Sequence, residues 1–517
     1  MSGLSLAQAF RQIGSLTAVS RLMGFARDIT FAAFLGAGGA ADAFLVALKL
    51  PNMFRRLSAE GAMTNAFLPS YAGIREKHGA AAALRLAAEV QIFLILTLCI
   101  VVGFAEIYMT ELIVLLAPGF SATSDRLAAA VDLARITMPY LPLISIVALW
   151  AAIANAHDKF KAGAAAPILA NICFILGALL IPAFAGHLGM TRAMPIAVAL
   201  LVAGVAQLGF LYWTLTRLDA VPPLILPRLS EAGRAMWRNF VPAAAGAAGM
   251  QVNLLIDLIL ASLLPVGAIS WLYYADRVAQ LPLGIIGIAL GTALLPRLSA
   301  AEAAGQSGKV TDALADALTL GGFFVVPAVT ALVLIGVPIM QGLFVYGAFR
   351  ESDAAAAAMA LTAYGCGLPG FVIVKILQTA FYAARQPGTV LKISFLTVAV
   401  NVSGSLLLMP ILGHFGLALA TAISGTVAAL IMLYLLARQR RLSASFLPAL
   451  GRIIMASALM GATLWLVHFG LQVLGMMPAA LHLIILVGVG SAVYGVAAFV
   501  LGAIPSGLLQ RAGASRA

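Results

Sequence analysis

Arg21, Arg27, Asp28, Asp42, Lys49, Arg55, Arg56 and Glu60 lie in one otherwise apolar stretch, residues 21–60. The stretch reads as two membrane-spanning helices joined at the GAGG turn, Gly36 to Gly39. An ionisable group at mid-bilayer depth costs about 2.5–3.5 kcal/mol on insertion scales. Such a load is tolerable only where the groups face water, a ligand or one another. Asp42, Lys49 and Arg56 are spaced by seven, and Glu60 follows by four. Those steps return to one helix face, a charged ridge that Pro51 is expected to kink. Arg21 and Asp28 share a face of the first helix, with Arg27 beside them. Internal ion pairs account for Asp28, Glu60 and one or two arginines. Five basic groups nevertheless stand against three acidic ones. The surplus points to an anion, and guanidinium forks suit phosphate oxygens.

A second stripe, Ser270, Tyr273, Arg277, Gln280 and Gly284, recurs at helical spacing, with Asp276 placed to neutralise Arg277. It reads as a wet cavity wall or a helix contact, and Arg277 favours the cavity. Asp257 lies in NLLIDLILASLL with no basic residue at helical spacing, and Asn401 and Thr421 are further lone polar groups. A buried carboxylate with oxygen neighbours can hold a small cation or a proton. A hydrogen-bonded helix contact is an equal reading of each taken alone. No P-loop, H-E-x-x-H or nucleophile elbow is present, so the chain does not read as an enzyme. The histidines read as unclustered interfacial residues, and Cys99, Cys173 and Cys366 as buried small apolar ones without a disulfide framework.

The elements that must position these residues are membrane helices. Of 517 residues, 62% are hydrophobic and only 10% charged, where a soluble chain has about 25%. Mean hydropathy is +1.05. The fold expected is an all-α polytopic membrane protein. Fourteen spans centre on 13–36, 40–70, 88–115, 130–155, 160–184, 194–216, 236–264, 269–296, 312–340, 356–383, 389–412, 415–437, 449–471 and 480–504. Leu50-Pro51 and Leu68-Pro69 in the second span are echoed by Leu281-Pro282 and Leu295-Pro296 in the eighth. The echo suggests two related six-helix lobes, 1–220 and 221–442, with two further helices in 443–517. Basic residues crowd alternate loops, and the opposite loops hold only Arg126, Arg192 and Arg350. That asymmetry places both termini in the cytoplasm. The net charge of +12 is scattered in short loops and implies no nucleic acid.

The runs SRLMGFARD, GAGGAADAF, KLPNMFRRLSAEGAMTNAFLP and SWLYYADRVAQLPLGIIGIALGTALLP, with the loop APGF, resemble the MurJ (MviN) lipid II flippases of bacterial inner membranes. The resemblance covers essentially the whole chain. Their superfamily also contains multidrug exporters and polysaccharide flippases. The resemblance implies alternation between inward-open and outward-open states. It implies that Arg21, Arg27, Arg55 and Arg277 match the family's central-cavity arginines, and Asp42 its first-lobe acidic position. Members often carry an acidic residue where this chain has Gln280, so no carboxylate role is implied there. With Lys49, Arg56, Glu60 and Tyr273, these are the candidate substrate-binding residues. The implied substrate is lipid II, undecaprenyl-diphosphate carrying a disaccharide-pentapeptide. Membrane lipids and the cell-wall synthesis machinery are the other partners considered, and no cofactor is expected. The driving force is left between a sodium gradient, a proton gradient and the membrane potential. A drug or polysaccharide exporter and a non-transporting scaffold are the competing readings. The cationic first lobe disfavours cationic drugs, and a scaffold has no reason to place charges in the bilayer.

Overall fold

The computed structural model describes residues 6–58, 62–184, 192–474 and 477–505. Side chains are described there except at 6–13, 54–58, 62–65, 184, 239, 241–250, 285–293 and 474. Every regular element among the described residues is a helix. Among the described residues, nine stretches are long and apolar enough to cross a bilayer. They hold ten of the expected spans, because Pro387–Arg438 contains two. Straight, its 52 residues would reach about 78 Å, against a hydrocarbon core of roughly 30 Å. Instead Gly413 adopts φ 57°, ψ −135° and the chain folds back. Thr421 Oγ1 donates to Asn401 Oδ1 at 3.4 Å. A Cβ on Gly404 would stand 3.2 Å from that of Ala420, and one on Gly416 2.5 Å from the Leu408 carbonyl oxygen. These pairs are centred on residues 411–412, which defines an antiparallel helical hairpin packed through small residues. The remaining expected spans correspond to Leu6–Leu35, Gly39–Ser58, Glu231–Ser262 and Ala268–Ala303. They carry most of the candidate substrate-binding residues and are not among the nine. Of the single kinked helix expected over 40–70, the structure describes Gly39–Ser58 and the chain from Ala62 onward as helix; residues 59–61 lie outside the described residues.

The chain groups into two compact units. The first comprises Met1–Ser270 and Tyr346–Phe349. At its centre is Gly39–Ser58, where every residue from Ala41 to Pro51 is buried except Lys49. That helix packs against Ser124–Thr137 and Tyr140–Ala156. Leu6–Leu35 packs against Phe160–Leu179, which in turn meets Met194–Thr216. Glu231–Ser262 lies against Ala62–Ile107, with Ser230 as its cap: Gly233 N–H donates to Ser230 Oγ at 3.1 Å. The Ser230 hydroxyl donates to Glu89 Oε2 at 2.6 Å. The short segment Tyr346–Phe349 returns to this unit from far along the chain. Ala348 N–H donates to the Ala33 carbonyl at 2.7 Å. Gly36 (φ 69°) and Gly347 (φ 60°) permit the approach, since a Cβ on Gly36 would lie 2.6 Å from the Ala348 oxygen.

The second unit comprises Trp271–Val345 and Arg350–Ala517. Glu351–Ala383 packs on the Pro387–Arg438 hairpin so closely that a Cβ on Gly370 would stand 2.8 Å from Thr426 N. Ser307–Leu334 packs against both Glu351–Ala383 and Phe446–Leu474. The last two helices, Phe446–Leu474 and Ala479–Val500, share a core of Ile453, Ala456, Ala497 and Ala498. Tyr494 ties it to the preceding helices by donating to the Phe323 carbonyl at 2.6 Å. One expectation is corrected here: Cys99 and Cys366 are exposed and Cys173 half-buried, not buried.

Candidate functional site

In the first unit, Arg27 is fixed by three hydrogen bonds to two neighbours. Its Nε and Nη2 donate to Asp28 Oδ1 at 3.0 and 2.8 Å, and its Nη1 donates to Asn171 Oδ1 at 3.1 Å. Asn171, on the packed helix Phe160–Leu179, donates in turn to the Ser20 carbonyl at 3.2 Å. Phe31 and Phe174 flank the guanidinium at 5.6 and 5.5 Å. Asp28 is 2% exposed and Arg27 19%, so the carboxylate is sealed behind the cation and only the arginine faces outward. Arg21, nearly two turns earlier, is exposed. Lys49 is half-buried on the central helix.

Asp42 has a different environment from the rest of the expected ridge. It has no exposure. Its Oδ2 accepts Gly267 N–H at 2.7 Å, and its Oδ1 accepts Ser270 N–H at 3.0 Å and the Ser270 hydroxyl at 2.7 Å. Those donors mark the start of Ala268–Ala303, whose N-terminal N–H groups lack intrahelical partners and favour an anion. Arg126 Nη2 lies 3.5 Å from Oδ2, and its guanidinium sits over the Phe120 ring at 4.0 Å. Arg126, expected in an exposed loop, is therefore a buried counter-ion; its pairing with Asp42 compensates its burial. Ser270 likewise leaves the expected stripe, since it is buried against Asp42.

The second unit keeps the rest of that stripe. The Arg277 guanidinium lies 4.7 Å above the Tyr273 ring, one turn back on the same helix. Tyr273 and Arg277 are half-buried and Gln280 is exposed. Asp276 accepts a hydrogen bond from the Gln280 amide. Tyr274, on the other face, is buried against Phe344 with ring centroids 5.2 Å apart. The Tyr273 ring face attracts the cation and restricts its freedom, and a guanidinium can offer a planar two-oxygen contact. The side chains of Arg55 and Arg56, and all of Glu60, lie outside the described residues.

The expected cation residues fall in separate units. Asp257, half-buried in the first, accepts from Asn253 Nδ2 at 3.4 Å. Asn401 and Thr421 meet in the second, across the hairpin. Among the described residues no three His, Cys, Asp or Glu side chains cluster. The histidines are less scattered than expected: His468 and His482 touch across the last two helices.

The family described as Lipid II flippase MurJ matches residues 31–486. A relative from Rhizobium tropici, named probable lipid II flippase MurJ, is 34% identical over 516 residues, 98% of this chain and 96% of its own length. The chain belongs to the MurJ family. A solved structure of lipid II flippase MurJ in an inward closed conformation shares the MurJ fold with a TM-score of 0.79, at 23% identity, covering 94% of this chain and 98% of that one. An inward-facing multidrug resistance MATE family transporter of the MOP superfamily follows with a TM-score of 0.68, at 16% identity, covering 85% and 96%. Sequence reasoning missed two polar partners, Asn171 and Arg126. The signal for Asn171 was a lone amide in an apolar run. The signal for Arg126 was its rarity, as one of three basic residues in its set of loops.

Proposed function

We propose that this protein is a lipid II flippase that carries undecaprenyl-diphosphate-linked peptidoglycan precursor from the inner to the outer leaflet of the bacterial inner membrane by alternating access. It is a transporter and catalyses no covalent step. The observation that carries the reading is the family match over nearly the whole chain. The arginines held on apolar helices supply its chemistry. Arg27 is braced by Asp28 and Asn171, and Arg277 by Tyr273. A braced guanidinium loses little freedom when it takes a phosphate oxygen. We assign the diphosphate to Arg21, Arg27, Arg55 and Arg277, with Lys49 and Arg56 adding positive potential. The head group is then held by polar residues such as Tyr273 and Gln280, and the lipid tail stays in the apolar phase. Spans thirteen and fourteen, almost uncharged, are the groove considered for that tail. Both termini are placed in the cytoplasm. Two oxygen sets, Asp257 with Asn253 and Asn401 with Thr421, are the candidates for coupling to a sodium or proton gradient.

The test is leaflet-resolved transport of labelled lipid II in proteoliposomes. The parent should expose label in the opposite leaflet. Arg277→Ala should abolish this, and Arg277→Lys should restore only part, because an ammonium cannot make the two-oxygen contact. Arg27→Lys, which keeps a cation beside Asp28, should also transport poorly while remaining folded. Parental transport by an Arg27→Lys, Arg277→Ala double variant would overturn the assignment of the diphosphate to these residues.

A further inference from the structure

The last two helices carry almost no charge, yet a pair of histidines joins them near their connected ends. His468 lies within the last two turns of Phe446–Leu474, and His482 in the first turn of Ala479–Val500. His468 Nδ1 and His482 Nε2 are 3.1 Å apart, with ring centroids at 5.1 Å. On the far side of His468, the Gln472 amide is 3.2 Å from Nε2, one turn further along the same helix. Both histidines are half-buried and Gln472 is exposed. Trp465 and Phe469 stack nearby with centroids 6.1 Å apart, the aromatic signature of a membrane–water boundary. Nothing in the transport reading uses these three polar residues.

We propose that His468 and His482 form a binding site for a divalent transition-metal ion of the zinc, nickel or copper class, with Gln472 as its orienting residue. Imidazole nitrogen is a preferred donor for these ions and binds them at about 2.0–2.1 Å. At that bond length, square-planar geometry places neighbouring nitrogens about 2.9 Å apart and tetrahedral geometry about 3.35 Å. The separation of 3.1 Å falls between the two, so chelation needs ring movements of only a few tenths of an ångström. Ligation through His468 Nδ1 requires the ring proton on Nε2. A half-turn of the Gln472 amide, whose nitrogen now faces the ring, brings its carbonyl there to accept a hydrogen bond from Nε2–H and fix the tautomer. The proton between the two rings moves, through water, to the distal nitrogen of the ring that carries it as the metal enters, so both rings bind as neutral imidazoles with no net proton loss. No third His, Cys, Asp or Glu joins among the described residues, so water completes the shell, which the exposed Gln472 side admits. The bound ion would pin the connected ends of the last two helices together.

The test is zinc titration of the full chain in nanodiscs, prepared without a polyhistidine tag and stripped with chelator. One zinc per chain should bind, detected by calorimetry and elemental analysis, and it should raise the thermal midpoint. His468→Ala and His482→Ala should each abolish both effects while unfolding at the midpoint of the metal-free parent. Gln472→Ala should weaken binding about tenfold. Lowering the pH from 7.5 to 5.5 should release the ion as the imidazoles protonate. Absence of zinc from the parent, or undiminished zinc in the His468→Ala, His482→Ala double variant, would overturn the site. Unchanged affinity in Gln472→Ala would overturn the role of Gln472.

Discussion

Replacing Asp42 with alanine tests whether its carboxylate is a structural anchor. The parent carboxylate is fully buried and accepts bonds of 2.7, 3.0 and 2.7 Å from Gly267 N–H, Ser270 N–H and the Ser270 hydroxyl. Deletion leaves two backbone donors at a helix start without their acceptor, at about 1–3 kcal/mol for each unsatisfied buried group. It also leaves Arg126, 8% exposed, without the counter-ion 3.5 Å away. Breaking a buried charged pair costs about 3–5 kcal/mol. These figures count the same carboxylate, so they overlap and do not add. A loss of about 3–5 kcal/mol is expected for Asp42→Ala. About 1–3 kcal/mol is expected for Asp42→Asn, which keeps the shape and one acceptor but not the charge. Ser270→Ala should cost about 0.5–1.5 kcal/mol in the parent and almost nothing in Asp42→Ala, where the hydroxyl has lost its acceptor. Equilibrium unfolding in mixed micelles, monitored by tryptophan fluorescence, reads all four corners of the cycle. An Asp42→Ala variant within about 1 kcal/mol of the parent, or strict additivity with Ser270→Ala, would refute the reasoning.

Three further outcomes follow from the same geometry. In a variant lacking native cysteines, Cys at exposed Ser352 should react with an impermeant reagent from outside intact cells and Cys at exposed Ser307 should not; the reverse pattern overturns the orientation. His157 sits 3.3 Å from the Tyr71 hydroxyl, and burial, then the Arg75 charge, holds its pKa below the ordinary imidazole value against the pull of Asp158. Folding thus favours the neutral ring, so this stability is present above about pH 6.5 and is lost as pH falls below that through the lower folded-state value. His157→Gln should flatten the pH dependence of unfolding between pH 7 and 5, and an unchanged slope would count against the assignment. Asp257→Asn should retain lipid II binding but blunt the response of transport to collapsing the ion gradients; an unaltered response reduces Asp257 to a helix contact.

The span count was legible because length and hydropathy are local. Even the doubled stretch Pro387–Arg438 could be divided by eye, at Gly413 and His414 between two apolar runs. Charge surplus was legible too, as a mismatch between residue type and neighbourhood. The partner of each charge was not. Spacing suggested that Asp42, Lys49 and Arg56 form one ridge, but Asp42 belongs to Gly267, Ser270 and Arg126, which lie far along the chain. Arg27 could be paired with Asp28 from adjacency alone, yet its bond to Asn171 depends on how two helices separated by 144 positions pack. The His468–His482 contact was hidden for the same reason: helical spacing reports faces within one helix, and this pair bridges two.

The segment Tyr346–Phe349 has a consequence for biogenesis. The first unit is not contiguous in sequence: after Ser270 the chain builds part of the second unit before returning with the Ala348 bond to Ala33. That bond cannot form until about eighty further residues have left the ribosome, which at roughly 5–20 residues per second takes about 4–16 s. Through that interval the glycine turn at Gly36 waits for its partner stretch of backbone. The order of synthesis therefore obliges the insertion machinery, or the lipid itself, to shelter an incomplete first unit while the helices of the second are still arriving.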